Sequence, residues 1–532
     1  MATRRQPLIP LWMAPGGAAA LLLIAVALLA FGALWFSAPT GDWRALLHDS
    51  YLRHVVRFSF TQALLSALLS LLPAISLARA LYRRCFPGRQ LLLRLCAMTL
   101  VLPVLVAVFG LLTVYGRVGW LAQLCQLLGV DYRFSPYGLQ GILLAHCFFN
   151  LPLATRLMLQ ALESIPREQR QLAAQLGLRG WHLFRLLEWP WLRRQLLPTG
   201  ALIFMLCFAS FATVLSLGGG PQATTVELAI FQALSYDYDP GRAALLALSQ
   251  LAFCLTLVLL SQCFSKAIPV GSAPLRGWRD PQDSRRARLG DTLIITLALL
   301  LLLPPLLAVV VDGLRSASCG ALAQPALWQA TLTSLRIAIG AGLLCVTLTM
   351  MLLWSSRELR LLPAQIVETS GMLVLAMPGI VLATGFFLLF NATTGLPDSS
   401  DGLMIFANAL LAVPYALKML ENPMRDLAER YTPLCASLGV SGWNRLRLIE
   451  LRVLKRPLAQ ALAFACVLSI GDFGVVALFG STDFLTLPFY LYQQTSAYRG
   501  ADGAVTALLL LAICLLLFTL MESLPGRHAD TD

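Results

Sequence analysis

The sequence predicts an all-α, polytopic membrane protein with twelve transmembrane helices, built as two parallel six-span repeats. The chain has 532 residues, of which 58% are hydrophobic and only 13% are charged, whereas soluble globular proteins average about 25% charged residues. The apolar residues form long unbroken blocks, which exclude a barrel made of short alternating segments. Motifs of the first half of the chain also recur in the second half.

Twelve apolar stretches are long enough to cross the roughly 30 Å hydrocarbon core of a bilayer. The first stretch resembles a signal peptide, but it has no clear small-residue cleavage site and the chain behind it is rich in further spans, so we expect it to be retained. The predicted spans are residues 11–36, 59–78, 91–114, 139–159, 196–217, 243–263, 290–311, 331–354, 366–391, 402–418, 457–479 and 503–521.

The loops between these spans carry most of the positive charge. The chain has 40 Lys and Arg residues and a formal net charge of +13. When the N-terminus is placed in the cytoplasm, 31 of these 40 residues fall on cytoplasmic segments, so the positive-inside rule predicts that both termini are cytoplasmic. No run of basic residues is interleaved with aromatic residues, so we expect the partner surface to be the lipid bilayer and no nucleic acid.

A duplicated segment divides the chain into two halves. A shift of 262 residues places residues 171–190 on residues 433–452 with nine of twenty positions identical. Earlier in each half, a shift of 275 places Pro103 on Pro378 and Gly110 on Gly385. Each half has six spans, so both have the same orientation, and a pseudo-two-fold axis along the membrane normal is expected with a shared pathway between the halves. The predicted units are a first half at 1–264, a cytoplasmic linker at 265–289, a second half at 290–521 and a cytoplasmic tail at 522–532.

The duplicated segment lies in the longest cytoplasmic loop of each half. In the first copy, residues 165–176 predict a short helix that Gly177 ends, and a second helical stretch follows from Gly180. Glu188 and Glu450 recur in the two copies, and we expect each to pair with Arg185, Arg447 or another neighbouring residue. Such a helix suits a groove on a partner protein, although a position on the lipid surface is the alternative. Two equivalent copies favour a partner with two-fold symmetry.

These loops resemble the EAA loop of permease subunits of ABC importers, in which E-A-A is followed by three residues, a glycine, twelve residues and a proline. Neither copy has the acidic residue at the first position. The first copy has Gln171, Leu172 and Ala173 at E-A-A, Gly177 at the glycine and Pro190 at the proline, and the second copy has Pro433, Leu434, Cys435, Gly439 and Arg452 at these positions.

The resemblance covers the whole chain and is closest to the fused permeases of ferric-iron and thiamine importers. Residues 208–240, 468–480 and 486–494 are similar to the thiamine permeases in particular. The resemblance implies the type I importer fold in the bacterial inner membrane, transport of thiamine and its phosphate esters, two copies of a separate ATP-binding subunit and a periplasmic substrate-binding protein. It implies that the ATP-binding subunits contact Gln171, Ala173, Ala174, Gly177, Trp181 and Glu188 of the first loop, and Leu434, Ala436, Gly439, Trp443 and Glu450 of the second loop.

The sequence indicates that this chain does not itself hydrolyse ATP, so the energy for transport comes from a partner or from an ion gradient. The phosphate loop of an ATPase needs Gly-Lys-Ser/Thr, and none of the three lysines, Lys266, Lys418 and Lys455, follows a glycine. An ion-driven secondary transporter is the alternative, but it would need paired ionisable residues inside its spans, and we find no such pair. Neither an H-E-x-x-H nor a G-x-S-x-G motif occurs, so we expect no enzymatic activity, no catalytic residue, no cofactor and no metal site.

Four residues near the ends of the fifth and eleventh spans are candidates for the translocation pathway. Asp472 lies opposite Ser210 of the first half, and Phe473 lies opposite Phe211. A carboxylate at this depth is costly unless it faces water, a partner or a cation. Asp472 therefore either lines the pathway and favours a cationic substrate, or accepts local hydrogen bonds that fix helix packing. The phenylalanines are candidates for a gate.

Overall fold

The computed structural model describes residues 14–38, 48–99, 101–264, 285–317, 322–356, 361–372, 374, 377–393, 401–440, 442–480, 484–497 and 499–522, and within these ranges every regular element is helical. The all-α prediction is confirmed. Most of the predicted linker and nearly all of the predicted C-terminal tail lie outside the described residues.

Helices of the first half follow the apolar stretches, with shorter helices in the connections between them. Pro103 lies directly before α4, in the break that separates α4 from α3, and it suits a helix start because the first N–H groups of a helix have no partner within it. The helices are α1 (Ala14–Ser37), α2 (Ser50–Arg83), α3 (Arg89–Met98), α4 (Val104–Tyr115), α5 (Trp120–Leu127), α6 (Leu139–Glu163), α7 (Arg167–Gln175), α8 (Gly180–Leu183), α9 (Trp189–Phe208), α10 (Phe211–Leu217), α11 (Val226–Ser235) and α12 (Pro240–Phe264).

The second half repeats this order. Pro378 lies directly before α16, as Pro103 lies before α4, which agrees with the predicted equivalence of the two prolines. The helices are α13 (Arg285–Ser316), α14 (Pro325–Ser356), α15 (Leu361–Met372), α16 (Gly379–Thr393), α17 (Asp401–Ser437), α18 (Gly442–Arg445), α19 (Leu451–Val453), α20 (Lys455–Gly471), α21 (Gly474–Phe479), α22 (Leu487–Ser496) and α23 (Gly500–Glu522).

Within the described ranges, nine helices are long and apolar enough to cross a membrane, and eleven spans result if each of two bent helix pairs counts as one. The ninth predicted span, 366–391, is divided between α15 and α16, which are each shorter than a bilayer requires. A multi-pass membrane protein is therefore confirmed, whereas the count of twelve is not.

The first helix of each half packs against the other half. α1 contacts α14 and α16 of the second half, and α13 contacts α2 and α4 of the first half. Buried residues form two apolar cores, of which one includes α13 residues such as Leu302 and the other includes α1 residues such as Leu23. Each core is thus completed by a helix from the opposite half.

Two equivalent glycines permit this exchange of helices. A Cβ on Gly110 would lie 2.4 Å from the carbonyl oxygen of Pro305 in α13, and a Cβ on Gly385 would lie 2.9 Å from the Cβ of Ala30 in α1. Both positions therefore need glycine for close helix contact. A shift of 275 relates Gly110 to Gly385, so the repeat seen in the sequence corresponds to a repeated helix contact.

Candidate functional site

The first cytoplasmic loop has the predicted helix–glycine–helix form. Its short helix α7 ends at Gly177, whose φ of +64° lies in the left-handed region that favours glycine. The Leu178 N–H donates to the Ala173 carbonyl at 3.0 Å, which is the closing bond of a Schellman motif. Gly180 also has a positive φ, of +49°, and opens α8, which continues as one π-helical turn at Phe184–Glu188. The chain is thus turned sharply by two glycines three residues apart.

The second loop repeats these features at the equivalent positions. Gly439 and Gly442 have φ values of +66° and +58°, and the Val440 N–H donates to the Cys435 carbonyl at 3.0 Å. A π-helical turn again follows, at Leu446–Glu450. The two loops therefore share their backbone geometry, which is the arrangement that a partner with two equivalent docking grooves requires.

Both loops expose large apolar side chains at the same positions. The side chain of Trp181 is 67% exposed and that of Trp443 is 68% exposed. Ala173 and its equivalent Cys435 are buried, so each short helix has one face turned inward and one turned outward. Gln171, Ala174 and Leu434 lie on the exposed surface, whereas Ala436 is described only as part of helix α17. The exposed apolar pairs are Leu172 and Leu434, Leu176 and Leu438, Trp181 and Trp443, and Leu186 and Leu448.

Glu188 attaches the first loop to the second helix of its half. Its Oε2 atom accepts a hydrogen bond from Nε of Arg79 in α2 at 2.6 Å, and the Glu188 side chain is almost fully buried. The Arg79 guanidinium also lies over the Phe184 ring, 4.2 Å from its centroid. Of the two expected alternatives, Glu188 therefore pairs with a neighbouring arginine, which comes from another helix, and not with Arg185.

Arg170 forms a second attachment between the first loop and α2. Its guanidinium lies over the ring of Tyr82, 4.5 Å from the centroid, and its Nη2 donates to the Leu162 carbonyl at the end of α6. Burial lowers the pKa of Arg170 to about 10, and the nearby Glu188 carboxylate opposes this shift, so the group is cationic at neutral pH.

Glu450 of the second loop is also buried and paired, but with an arginine of the loop itself. Nε of Arg445 lies 2.9 Å from Glu450 Oε1, and Arg445 Nη2 donates to the Thr432 hydroxyl at 3.0 Å. The expected Arg447 is again not the partner, because its side chain is on the exposed face of the turn. The two halves therefore pair the same buried carboxylate with arginines from different elements.

The loops also differ in their connection to the preceding span. In the first half, α6 ends at Glu163, and Pro166 lies directly before α7. In the second half, Ala428 stands at the position of Pro166, and α17 runs without interruption from Asp401 to Ser437. The break at this position is therefore present in the first half alone, although α17 has prolines of its own at Pro414, Pro423 and Pro433.

The two phenylalanines that were candidates for the pathway meet between the halves. Phe211 at the start of α10 and Phe473 before α21 stack with ring centroids 6.0 Å apart and an interplanar angle of 18°. Phe231 contacts Phe211 and Tyr492 contacts Phe473, each at a centroid distance of 5.3 Å. The four rings thus form a continuous aromatic row across the interface.

Ser210 and Asp472 lie beside this row, at the helix breaks that precede the phenylalanines. The Ser210 hydroxyl donates to the Cys207 carbonyl at 2.7 Å. Asp472 Oδ2 accepts from the Val475 N–H at 3.2 Å and therefore caps the short helix α21. Asp472 also lines a cavity between the halves, so a place on the pathway and a local structural role do not exclude one another.

The cavity has a volume of about 240 Å³ and is the feature that sequence reasoning did not identify. Residues of α9 and α12 form its wall on the first-half side, and residues of α17 and α20 form its wall on the second-half side. Asn408 and Tyr415, both on α17, contribute polar groups. Asn408 could have been identified from the sequence, because it is a polar residue inside a predicted span.

Comparisons with known proteins agree with this architecture. The family described as "Binding-protein-dependent transport system inner membrane component" matches residues 70–268 and 353–527, one segment in each half. The chain is 72% identical to the thiamine transport system permease protein ThiP of Escherichia coli K12 over the full length of both chains. It is 44% identical to the ThiP protein of Haemophilus influenzae over 92% of this chain and 91% of that protein, and 42% identical to that of Brucella abortus over 95% and 94%.

These relatives are transport permeases, and the family name describes import that depends on a binding protein. An ABC system with a substrate-binding protein and an ATPase as partners follows from the family, as does a multi-pass location in the inner membrane. With two matched segments, duplicated EAA-type loops and full-length relatives, the chain belongs to the family of binding-protein-dependent transport system inner membrane components.

Proposed function

We propose that this chain is the membrane-spanning subunit of a thiamine importer, which moves thiamine and its phosphate esters into the cytoplasm at the expense of ATP hydrolysed by a separate subunit. The observation that carries this proposal is the pair of equivalent cytoplasmic loops, each with a left-handed glycine, a buried glutamate and an exposed tryptophan. The substrate rests on the full-length similarity to thiamine permeases.

Two ATP-binding subunits fit this chain, one on each loop. The exposed side chains of Trp181, Leu176 and their equivalents offer an apolar face of the kind that enters a groove on a partner. Burying four large apolar side chains at each loop would also remove them from water, which favours a docked state. The residues at these contacts are Gln171, Ala173, Ala174, Gly177, Trp181, Glu188, Leu434, Ala436, Gly439, Trp443 and Glu450.

Both termini and both loops lie in the cytoplasm in this proposal, and the periplasmic binding protein delivers substrate to the opposite face. The asymmetric distribution of basic residues supports this orientation. The functional units are the halves 1–264 and 290–521, joined by the linker 265–289 and followed by the tail 522–532. The first helix of each half packs against helices of the other half, so the halves move against one another as interlocked bodies.

The aromatic row at Phe211 and Phe473 closes the pathway on its outer side. Along α9 and α20, the cavity residues precede the two phenylalanines, so the cavity lies on the loop side of the stack. When the ATPases close, the loops move, and the halves rotate until the stacked rings separate. Ser210 and Asp472 lie at the helix breaks where such a rotation would change the backbone direction.

Uptake by a reconstituted system tests the proposal. The chain is incorporated into proteoliposomes with its ATPase and binding protein, and labelled thiamine, thiamine monophosphate and ferric iron are compared as substrates. ATP-dependent uptake of thiamine and its phosphate, without uptake of iron, is expected. Uptake driven by a proton or sodium gradient without ATP, or selective uptake of iron, would contradict it.

A further inference from the structure

The cavity between the halves is polar on one side only. Its first-half wall consists of apolar or weakly polar side chains such as Met205, Leu206 and Cys254. Its second-half wall carries an amide, a phenol, a hydroxyl and a carboxylate, which belong to Asn408, Tyr415, Ser469 and Asp472. No lysine or arginine is among the described residues that line it. One carboxylate without a basic neighbour gives the cavity a preference for a cation.

The amide of Asn408 points to a ligand more specifically. Asn408 is 3% exposed, and its Nδ2 atom donates to the Ser469 hydroxyl at 2.9 Å. Its Oδ1 atom is buried and has no hydrogen-bond donor among the described residues. A buried acceptor without a donor is costly, so a rotation of this amide that opens Oδ1 to the cavity would let the N–H group of a ligand remove the cost.

Tyr415 supplies an aromatic face to the same cavity. It lies on α17 two helical turns from Asn408, is 40% exposed, and contacts Phe464 with ring centroids 5.9 Å apart. An aromatic ring beside a carboxylate suits an organic cation, because the ring face and the negative charge both attract it.

The corresponding positions of the first half cannot form the same site. A shift of 262 relates Asn408, Tyr415 and Asp472 to His146, Leu153 and Ser210. His146 is buried and its Nδ1 atom is bonded to the Ser66 hydroxyl at 2.8 Å. Neither an aromatic ring nor a carboxylate is present at the other two positions. The side chains that form this site therefore occur only in the second half, although the backbone is repeated in both halves.

We propose that this cavity is a substrate site of the permease itself, which binds an aromatic organic cation with an N–H donor through the second half alone. Asp472 neutralises the cation, Tyr415 faces its ring, and Asn408 Oδ1 accepts from its N–H group. The inference rests on the proposed function, since thiamine combines a thiazolium cation with an aminopyrimidine. The cavity volume of about 240 Å³ is slightly below the usual range of small-molecule pockets, so the ligand must be small.

Binding of labelled thiamine to the purified full-length chain tests this site, with Asp472→Asn as the main variant. Asparagine caps a helix as well as aspartate does, so the substitution removes the charge and keeps the bond to the Val475 N–H. A neutral isostere of thiamine, with carbon in place of the thiazolium nitrogen, is the second probe. Asp131→Asn is the matched control, because the Asp131 side chain is 87% exposed on a distant connection.

We expect Asp472→Asn to weaken thiamine binding by about tenfold and to leave binding of the neutral isostere unchanged, whereas Asp131→Asn changes neither. Asn408→Leu should weaken binding of both probes, because both carry the amino group. Thermal unfolding of each variant establishes that it is folded.

Equal thiamine affinity in the wild type and Asp472→Asn, or no binding by the wild-type chain, would overturn the site. ATP-dependent thiamine uptake by the wild-type complex, measured in parallel, separates the two proposals. Normal uptake together with unchanged affinity refutes the site alone, and absence of uptake refutes the proposed function.

Discussion

Phe211 and Phe473, which are 262 positions apart and equivalent in the two halves, stack with their ring centroids 6.0 Å apart. Each ring is almost completely buried, and each lies at the first turn after a break in a long helix. A contact between equivalent residues places them on the pseudo-two-fold axis. The stack is therefore the point at which a relative rotation of the halves changes side-chain contacts most directly.

Removal of the stacked rings should make the pathway leak. In proteoliposomes preloaded with labelled thiamine and lacking ATP, the double variant Phe211→Ala/Phe473→Ala is expected to release label several times faster than the wild type, because two buried rings no longer fill the interface. Phe36→Ala is the control, since Phe36 is 88% exposed on α1. A double variant as tight as the wild type would show that the stack does not close the pathway.

The left-handed glycines of the loops should tolerate asparagine but not valine. Nothing lies within 4 Å of a Cβ added at Gly177 or Gly439, so any cost arises from the backbone, at about 1–2 kcal/mol for a residue that avoids this conformation. Gly177→Val and Gly439→Val are expected to insert normally while ATP hydrolysis no longer drives uptake. The asparagine variants should retain coupling. Normal uptake in both valine variants would argue against a coupling role.

Arg79 and Glu188 should be energetically coupled, whereas Arg79 and Glu450 should not. The first pair shares a nearly buried hydrogen bond between charged groups, which is worth about 2 kcal/mol. A double-mutant cycle with Arg79→Ala and Glu188→Ala, read as thermal unfolding of the purified chain, is expected to give a coupling energy of this order. The cycle with Arg79→Ala and Glu450→Ala should be additive. Additivity in the first cycle would contradict the attachment of the loop to α2.

Trp181→Ala and Trp443→Ala should weaken binding of the ATPase subunits with little effect on the stability of the chain. Both side chains are about two-thirds exposed, so truncation removes few internal contacts, whereas aromatic side chains dominate the energy of many interfaces. Copurification of the ATPase is expected to fall in each single variant and to be lost in the double variant. The control Leu127→Ala changes a highly exposed residue on α5 and should have no effect.

The proposed orientation of the chain in the membrane can be tested by labelling two native cysteines. Cys85 is exposed in the connection between α2 and α3, and Cys125 is partly exposed on α5. In variants that retain only one of them, a membrane-impermeant thiol reagent should label Cys85 from the cytoplasmic side and Cys125 from the periplasmic side. The opposite pattern would reverse the orientation.

Local features of the loops could be predicted because they depend on a few adjacent residues. The turns at Gly177 and Gly439 follow from the glycine that ends each short helix, and the duplication itself placed Phe211 opposite Phe473. The partner of Glu188 could not be predicted, because Arg79 is 109 positions away and reaches it only after α2 packs in the fold. In the second half the equivalent carboxylate, Glu450, pairs with Arg445 of its own loop. The partner in one half therefore does not predict the partner in the other half.

The cavity was missed for a related reason. Asp472 was identifiable as a carboxylate inside a span, but Asn408 and Tyr415 become relevant only when α17 packs beside α20. The ninth predicted span was likewise drawn as one apolar run at 366–391, whereas the structure divides this run at the break before α16.

The uninterrupted helix α17 has a mechanical consequence. It carries Asn408 and Tyr415 of the cavity in its first half and Leu434 of the exposed loop near its end, and Leu434 lies 26 residues, or about 39 Å, beyond Asn408. Pro414, Pro423 and Pro433 lie inside α17, and each removes one backbone hydrogen bond, so the cavity and the exposed loop are connected by one continuous helix that has positions at which it can bend. In the first half of the chain, the backbone instead leaves its helix after Glu163 and begins a new one after Pro166, so the two halves connect span and loop differently.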